Sequence, residues 1–247
     1  MATLDEQARE FALELTNSVR AIVGPECAPF RALGLVDEGR TVLSVRQYPP
    51  TGIPLQVEGT PLLTLTASYR CVWDHKKQFL AVEDSQIKVY PGAEAQGEPL
   101  FRYEYERNPV GDIPGAHLQV HAHRDALTYV MTRSGRGSRR GKALSQRVQQ
   151  GGDHPALHHL HFPLGGSRFR PCLEDVLQML VSELGVDTQD GWREPLELGR
   201  ERWRRRQVGA AVRDSPASAI AVLRQLGYSI SPHDDEPEER QHRMRDL

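Results

Sequence analysis

The chain is predicted to fold as an α+β protein, with a mainly antiparallel sheet, an N-terminal helix, a packed helix after the last strand and a C-terminal helical appendage. Three observations predict this. Residues 4–23 repeat their apolar side chains at helical spacing. Residues 41–107 hold β-branched and aromatic runs parted by short clusters of Pro, Gly and Asp, and short connections favour antiparallel neighbours. From residue 173 onward the helical period returns.

In the first segment Leu4, Ala8, Phe11, Ala12, Leu15, Val19, Ile22 and Val23 fall on one face. Thr3 and Glu6 have the spacing of a capping box, and Gly24-Pro25 supplies the stop. Strands are expected at 41–47, 62–73, 79–90 and 100–106. In the last of these, Phe101, Tyr103 and Tyr105 share one face, and Arg102, Glu104 and Glu106 share the other. A strand at 117–124 sends Leu118, Val120 and Ala122 one way and His117, Gln119, His121 and His123 the other. A short strand at 158–162 repeats this phase, with Leu160 and Phe162 opposed to His159 and His161.

Between these two strands, residues 133–152 read as a glycine-laced loop. Arg133, Arg136, Arg139, Arg140, Lys142 and Arg147 make it basic, and it contains no acid. After it, Leu173, Val176, Leu177, Leu180, Val181 and Leu184 form an apolar stripe. Glu174 and Asp175 suit the start of that helix, and Gly185 suits its end. A further helix at about 194–212 carries Arg200, Arg202, Arg204, Arg205 and Arg206 around Trp203. A last one, 216–226, has Ser215 as N-cap, Pro216 at its first position and Gly227 as its stop. The expected division is a core domain at 1–187, a helical appendage at 188–232 and a disordered tail at 233–247.

A net charge of −2 over 247 residues makes the chain as a whole no polyanion binder, so any nucleic-acid contact must come from a local basic patch. Cys27, Cys71 and Cys172 are odd in number and widely spaced, which argues against a disulfide framework and for a reducing compartment. Asp5, Glu6, Arg9, Glu10 and Glu14 rule out a signal peptide in the first residues. No apolar run approaches the ~18 residues a membrane span needs. The expected location is cytoplasmic, with no membrane partner.

Seven of the ten histidines lie between His117 and His161. Antiparallel pairing of the two histidine strands would gather His117, His121, His123, His159 and His161 on one patch. Three readings of that patch stand side by side. Imidazoles can exchange protons with a 2′-hydroxyl and a leaving oxygen, with Arg124, Arg168 and Arg170 holding phosphate. They can ligate a divalent transition metal. Or they are a solvated sheet face. The first reading takes no cofactor, and the second takes the metal.

The order Leu-Phe-Arg-Tyr-Glu-Tyr (100–105), a histidine strand, then Pro-Cys-Leu-Glu-Asp-Val-Leu (171–177) resembles the TumE-type toxins of bacterial toxin–antitoxin pairs, over about residues 60–185. That resemblance implies a toxin-like protein acting on RNA, with Arg102, Tyr103, Tyr105, His121 and His123 at the matching positions.

The favoured expectation is a nucleic-acid-directed protein of toxin or phage-defence type, a metal-independent ribonuclease. His121 and His161 are its acid/base pair. His117, His123 and His159 support them, with Tyr103 and Tyr105 beside them. RNA or DNA is gripped by Arg102, Arg124, Arg168, Arg170 and the 133–142 basic residues. The alternatives are a His-ligated metal protein and an interaction module that docks a partner protein through Leu196, Trp203, Leu223 and Leu226.

Overall fold

A computed structural model of the chain describes residues 2–37, 40–109, 113–121, 146, 162–164, 166–231 and 238–245. It opens with α1 (Leu4–Val23), whose capping box closes in both directions. The Glu6 amide donates to Thr3 Oγ1 at 3.2 Å, and the Thr3 amide donates to Glu6 Oε2 at 2.7 Å.

Among the described residues eight strands follow in one sheet: β1 (Phe30–Asp37), β2 (Arg40–Gln47), β3 (Ile53–Val57), β4 (Thr60–Trp73), β5 (Leu80–Pro91), β6 (Phe101–Glu106), β7 (Ala116–Val120) and β8 (Phe162–Pro163). Every pairing is antiparallel, in the order β1-β2-β4-β5-β6-β7-β8. The long β4 takes β5 along one edge, and its other edge is shared by β2 and β3.

Sequence reasoning did not anticipate β1 and β3. The apolar residues of β1 do not alternate cleanly, because Ala32 is followed by Leu33 and Leu35 by Val36. Pro54 sits inside β3, where it cannot donate to a ladder. Among the described residues β3 pairs only with β4, and an edge position tolerates the missing N–H.

The helices after the sheet are α2 (Gly166–Phe169), α3 (Leu173–Leu184), α4 (Arg193–Asp214), α5 (Pro216–Gln225) and α6 (Gln241–Arg245). One hydrophobic core joins α1, α3 and the start of α4 to a single face of the sheet. Val45, Leu55, Leu65 and Val89 meet Ala8, Val19, Leu177, Leu180 and Leu196 there, all at 1% exposure or less. Leu196 therefore belongs to the same core as β4, and the expected boundary at 187/188 does not separate two packing units. A partner-docking role for Leu196 is replaced by burial.

Polar contacts fix the rest of α4. Arg200 Nε pairs with Asp175 of α3 at 2.7 Å, and Arg206 forms two 2.7 Å bonds to Glu14 of α1. At the centre, buried Glu174 accepts a 2.6 Å bond from Ser18 Oγ. It presses on Gly199, where a Cβ would come within 2.6 Å of its oxygen.

Residues 238–245, part of the tail expected to be disordered, make polar contacts with this body. Arg240 pairs with the buried Asp214 carboxylate at 3.3 Å, and its amide donates to Asp214 O at 2.9 Å. Residues 233–237, 246 and 247 of that expected tail lie outside the described residues. No helix among the described residues is long and apolar enough to cross a membrane.

Candidate nucleic-acid interface

The ladder from β5 to β7 sorts the expected site residues by face. Tyr103 stands opposite Ile87 and Leu118, on the side that the helices cover. Arg102 stands opposite Gln119 and Glu104 opposite His117, on the side turned away from the helices. β7 and β8 pair antiparallel, with Leu118 opposite Phe162 and His117 opposite Pro163. His123, Arg124, Arg133, Arg136, Arg139, Arg140, Lys142, His159 and His161 lie outside the described residues.

Two histidine–carboxylate contacts form along β7. His117 is 6% exposed, with Nδ1 2.9 Å from the Pro114 carbonyl and Nε2 3.3 Å from Glu104 Oε2. At the other end of the strand, His121 Nδ1 is 2.8 Å from Glu98 Oε1. Glu104 also faces Arg102 at 3.2 Å, and Arg102 Nε donates to Gln119 Oε1.

Burial raises the Glu104 carboxyl, but the hydrogen bond from His117 and the charge of Arg102 outweigh it and leave the group below its ordinary value. A carboxylate depressed in the folded state contributes stability that is complete above the unfolded value of 4.5 and is lost as pH falls through the folded one. Glu104→Gln is expected to cost roughly 1–3 kcal/mol at neutral pH. Its deficit against wild type should shrink below pH 4.5, which urea titrations at pH 7 and pH 3.5 check.

A cleft of about 780 Å³ opens on the helix side. Its walls are the first turns of α1, the turn between β4 and β5, the end of β6, the last turns of α4 and residues 240–243. Asp74 builds the turn by accepting from the amides of Lys76, Gln78 and Phe79, which puts His75 and Phe79 at the rim. Arg170 lies at the floor, 9% exposed, with its guanidinium 3.6 Å from the Tyr105 ring centroid and 5.0 Å from that of Trp203. Burial pushes that guanidinium down to about 10, which leaves it charged at neutral pH. Arg168 pairs with Asp214 at 2.6 Å, and Arg213 lies 4.7 Å over the Phe79 ring.

The cleft is strongly positive. Eight arginines line it. Among the described residues the lining itself holds two carboxylates, Glu10 and Asp74, while Asp214 pairs with Arg168 and Arg240, Glu14 with Arg206 and Glu201 with Arg205. Among the described residues, Arg107 and Arg213 have no carboxylate partner. In a chain of net charge −2, this is a segregated patch and not a general excess.

Arg168 and Arg170 are thus not beside His117 and His121. They sit with Tyr105 on the helix side, and His117 points from the opposite side of the sheet. The sequence reading missed Arg107, Arg213, Arg240 and Arg243. The stripe Trp203, Arg206, Ala210 and Arg213 was legible at helical spacing, but nothing local placed Arg107 and Arg240 against it. Comparison with family models, curated proteins and solved structures finds no match for this chain.

Proposed function

We propose that the protein binds single-stranded nucleic acid, RNA first of all, in the arginine cleft, and that it is a toxin- or phage-defence-type protein. The observation that carries this reading is the cleft itself, with eight arginines interleaved with Phe79, Tyr105 and Trp203. Arginines neutralise phosphates and release counterions, while aromatic faces tolerate any base. A cavity of this volume is of the size that encloses small ligands, so it takes a short stretch of one strand and excludes a duplex.

The test is fluorescence anisotropy of a labelled 12-nucleotide oligo(U) RNA over a salt series. Log affinity should fall linearly with log salt, at about 0.7 per phosphate neutralised. Flat salt dependence, or equal preference for a duplex of the same length, would count against the cleft as the binding site.

The histidine–carboxylate contacts support a second reading, RNA cleavage by acid/base chemistry. One imidazole takes the 2′-hydroxyl proton as the oxygen attacks the adjacent phosphorus. Another gives a proton to the departing 5′ oxygen, leaving a cyclic phosphate and a 5′-hydroxyl. His121 and His161 are the proposed pair. His121 lies at the far end of β6 and β7 from Tyr105, about 17 Å along the strand, so a strand held in the cleft must run past the sheet edge to reach it. Cleavage is expected to persist in EDTA and to be lost in His121→Ala and His161→Ala. A stoichiometric transition metal in tag-free protein would replace this reading with a His-ligated metal centre.

A further inference from the structure

We infer that residues 238–245 are a binding strap that completes the arginine cleft, ordered on the body of the fold and tightened by the polyanion. This rests on the cleft being a polyanion site. The strap spans both rims. On the α4–α5 side, Glu239 Oε1 accepts from the Ala217 amide at 2.9 Å and from Ser215 Oγ at 3.3 Å, and Arg240 pairs with Asp214. On the sheet side, Arg240 Nη2 donates to His75 Nε2 at 3.2 Å. Arg243 Nη1 donates to the Arg107 carbonyl at 3.3 Å.

Asp214 is the pin of this arrangement. It is 1% exposed and takes Arg168 at 2.6 Å and Arg240 at 3.3 Å, from segments far apart in the chain. One buried carboxylate thus sets the position of two cleft arginines.

The strap has no apolar anchor. None of the residues of α6 is buried, and Met244 is 63% exposed. A segment held by polar contacts alone sits at the low-stability end of the molecule. Arg240, His242 and Arg243 nevertheless line the cleft. A phosphate chain touching them binds the strapped form better than the unstrapped one, so occupancy and strap order support each other.

The test uses the full chain, the oligo(U) RNA and two readouts. In Arg240→Ala/Arg243→Ala, affinity is expected to fall roughly tenfold to a hundredfold, and the salt slope to shrink by about 1.4, two phosphates' worth. In wild type, amide exchange at 239–245 is expected to slow on adding RNA. Thermal midpoints of the variant and of Arg243→Ala alone check that the fold survives. Wild-type binding with an unchanged variant affinity and slope, or with no change in exchange at the strap, overturns the strap and leaves the cleft. No RNA binding by wild type overturns both.

Discussion

Arg107→Glu/Arg213→Glu is expected to remove RNA binding, with affinity lower by on the order of a hundredfold or more at physiological salt. The double change replaces two positive charges of the lining by two negative ones, which repel the phosphates. Both guanidiniums lack a carboxylate partner among the described residues, so the loss is not confused with a broken ion pair. Arg213 donates to the Gly209 carbonyl at 3.0 Å and lies 4.7 Å over the Phe79 ring, and losing an exposed cation–π contact costs about 0.5–1 kcal/mol. The variant should therefore melt near wild type. If it binds oligo(U) as wild type does, the cleft is not the site. Arg224→Glu is the control, because Arg224 is exposed on α5 and lies outside the lining of the cleft.

Gly199→Ala is expected to destabilise the fold by about 1–3 kcal/mol, although alanine is the better helix former by about 1 kcal/mol. The new Cβ would come within 2.6 Å of Glu174 Oε1 and 3.0 Å of its Cδ and Cγ. Glu174 cannot swing clear without cost, since it is 5% exposed and holds Ser18 at 2.6 Å. In a Glu174→Ala background the obstacle is gone, and the same Gly199→Ala step should become neutral or stabilising. The sign reversal, read in a urea double-mutant cycle, is the specific signature. Additive effects would mean that α4 does not rest on α3 at this point. Because α4 carries Trp203, Arg206 and Arg213, the single variant should also weaken RNA binding, and the double variant should restore it.

Much of the frame was legible residue by residue. Thr3 and Glu6 announced α1, and Gly185 announced the end of α3, where it adopts φ 68. The alternation of β6 and β7 put Tyr103 and Glu104 on opposite sheet faces, as the ladder shows. These features depend on local spacing, which sequence carries directly. β3 was hidden because Pro54 is a poor strand signal, and its alternation Ile53, Leu55, Val57 is only three residues deep. α4 was legible as a helix but not as a core element, since its single inward leucine, Leu196, is swamped by arginines whose partners, Glu14 and Asp175, lie elsewhere. The cleft was least legible of all. Arg107, Arg170, Arg213 and Arg240 come from four separated segments, and only the third dimension brings them to one cavity.

The docking of α4 on α1 also sets the order in which the chain can fold. Ser18 bonds to a residue 156 positions away, and Glu14 to one 192 positions away. As synthesis proceeds, α1 is finished long before the surfaces that cover it, and the sheet must form with Leu15, Val19 and Ile22 still partly open. Contacts so distant in sequence slow folding and leave apolar surface exposed on the way. Nascent chains stopped before residue 193 should therefore hold onto chaperones or aggregate, and release should follow only once Leu196 and Arg206 have been made.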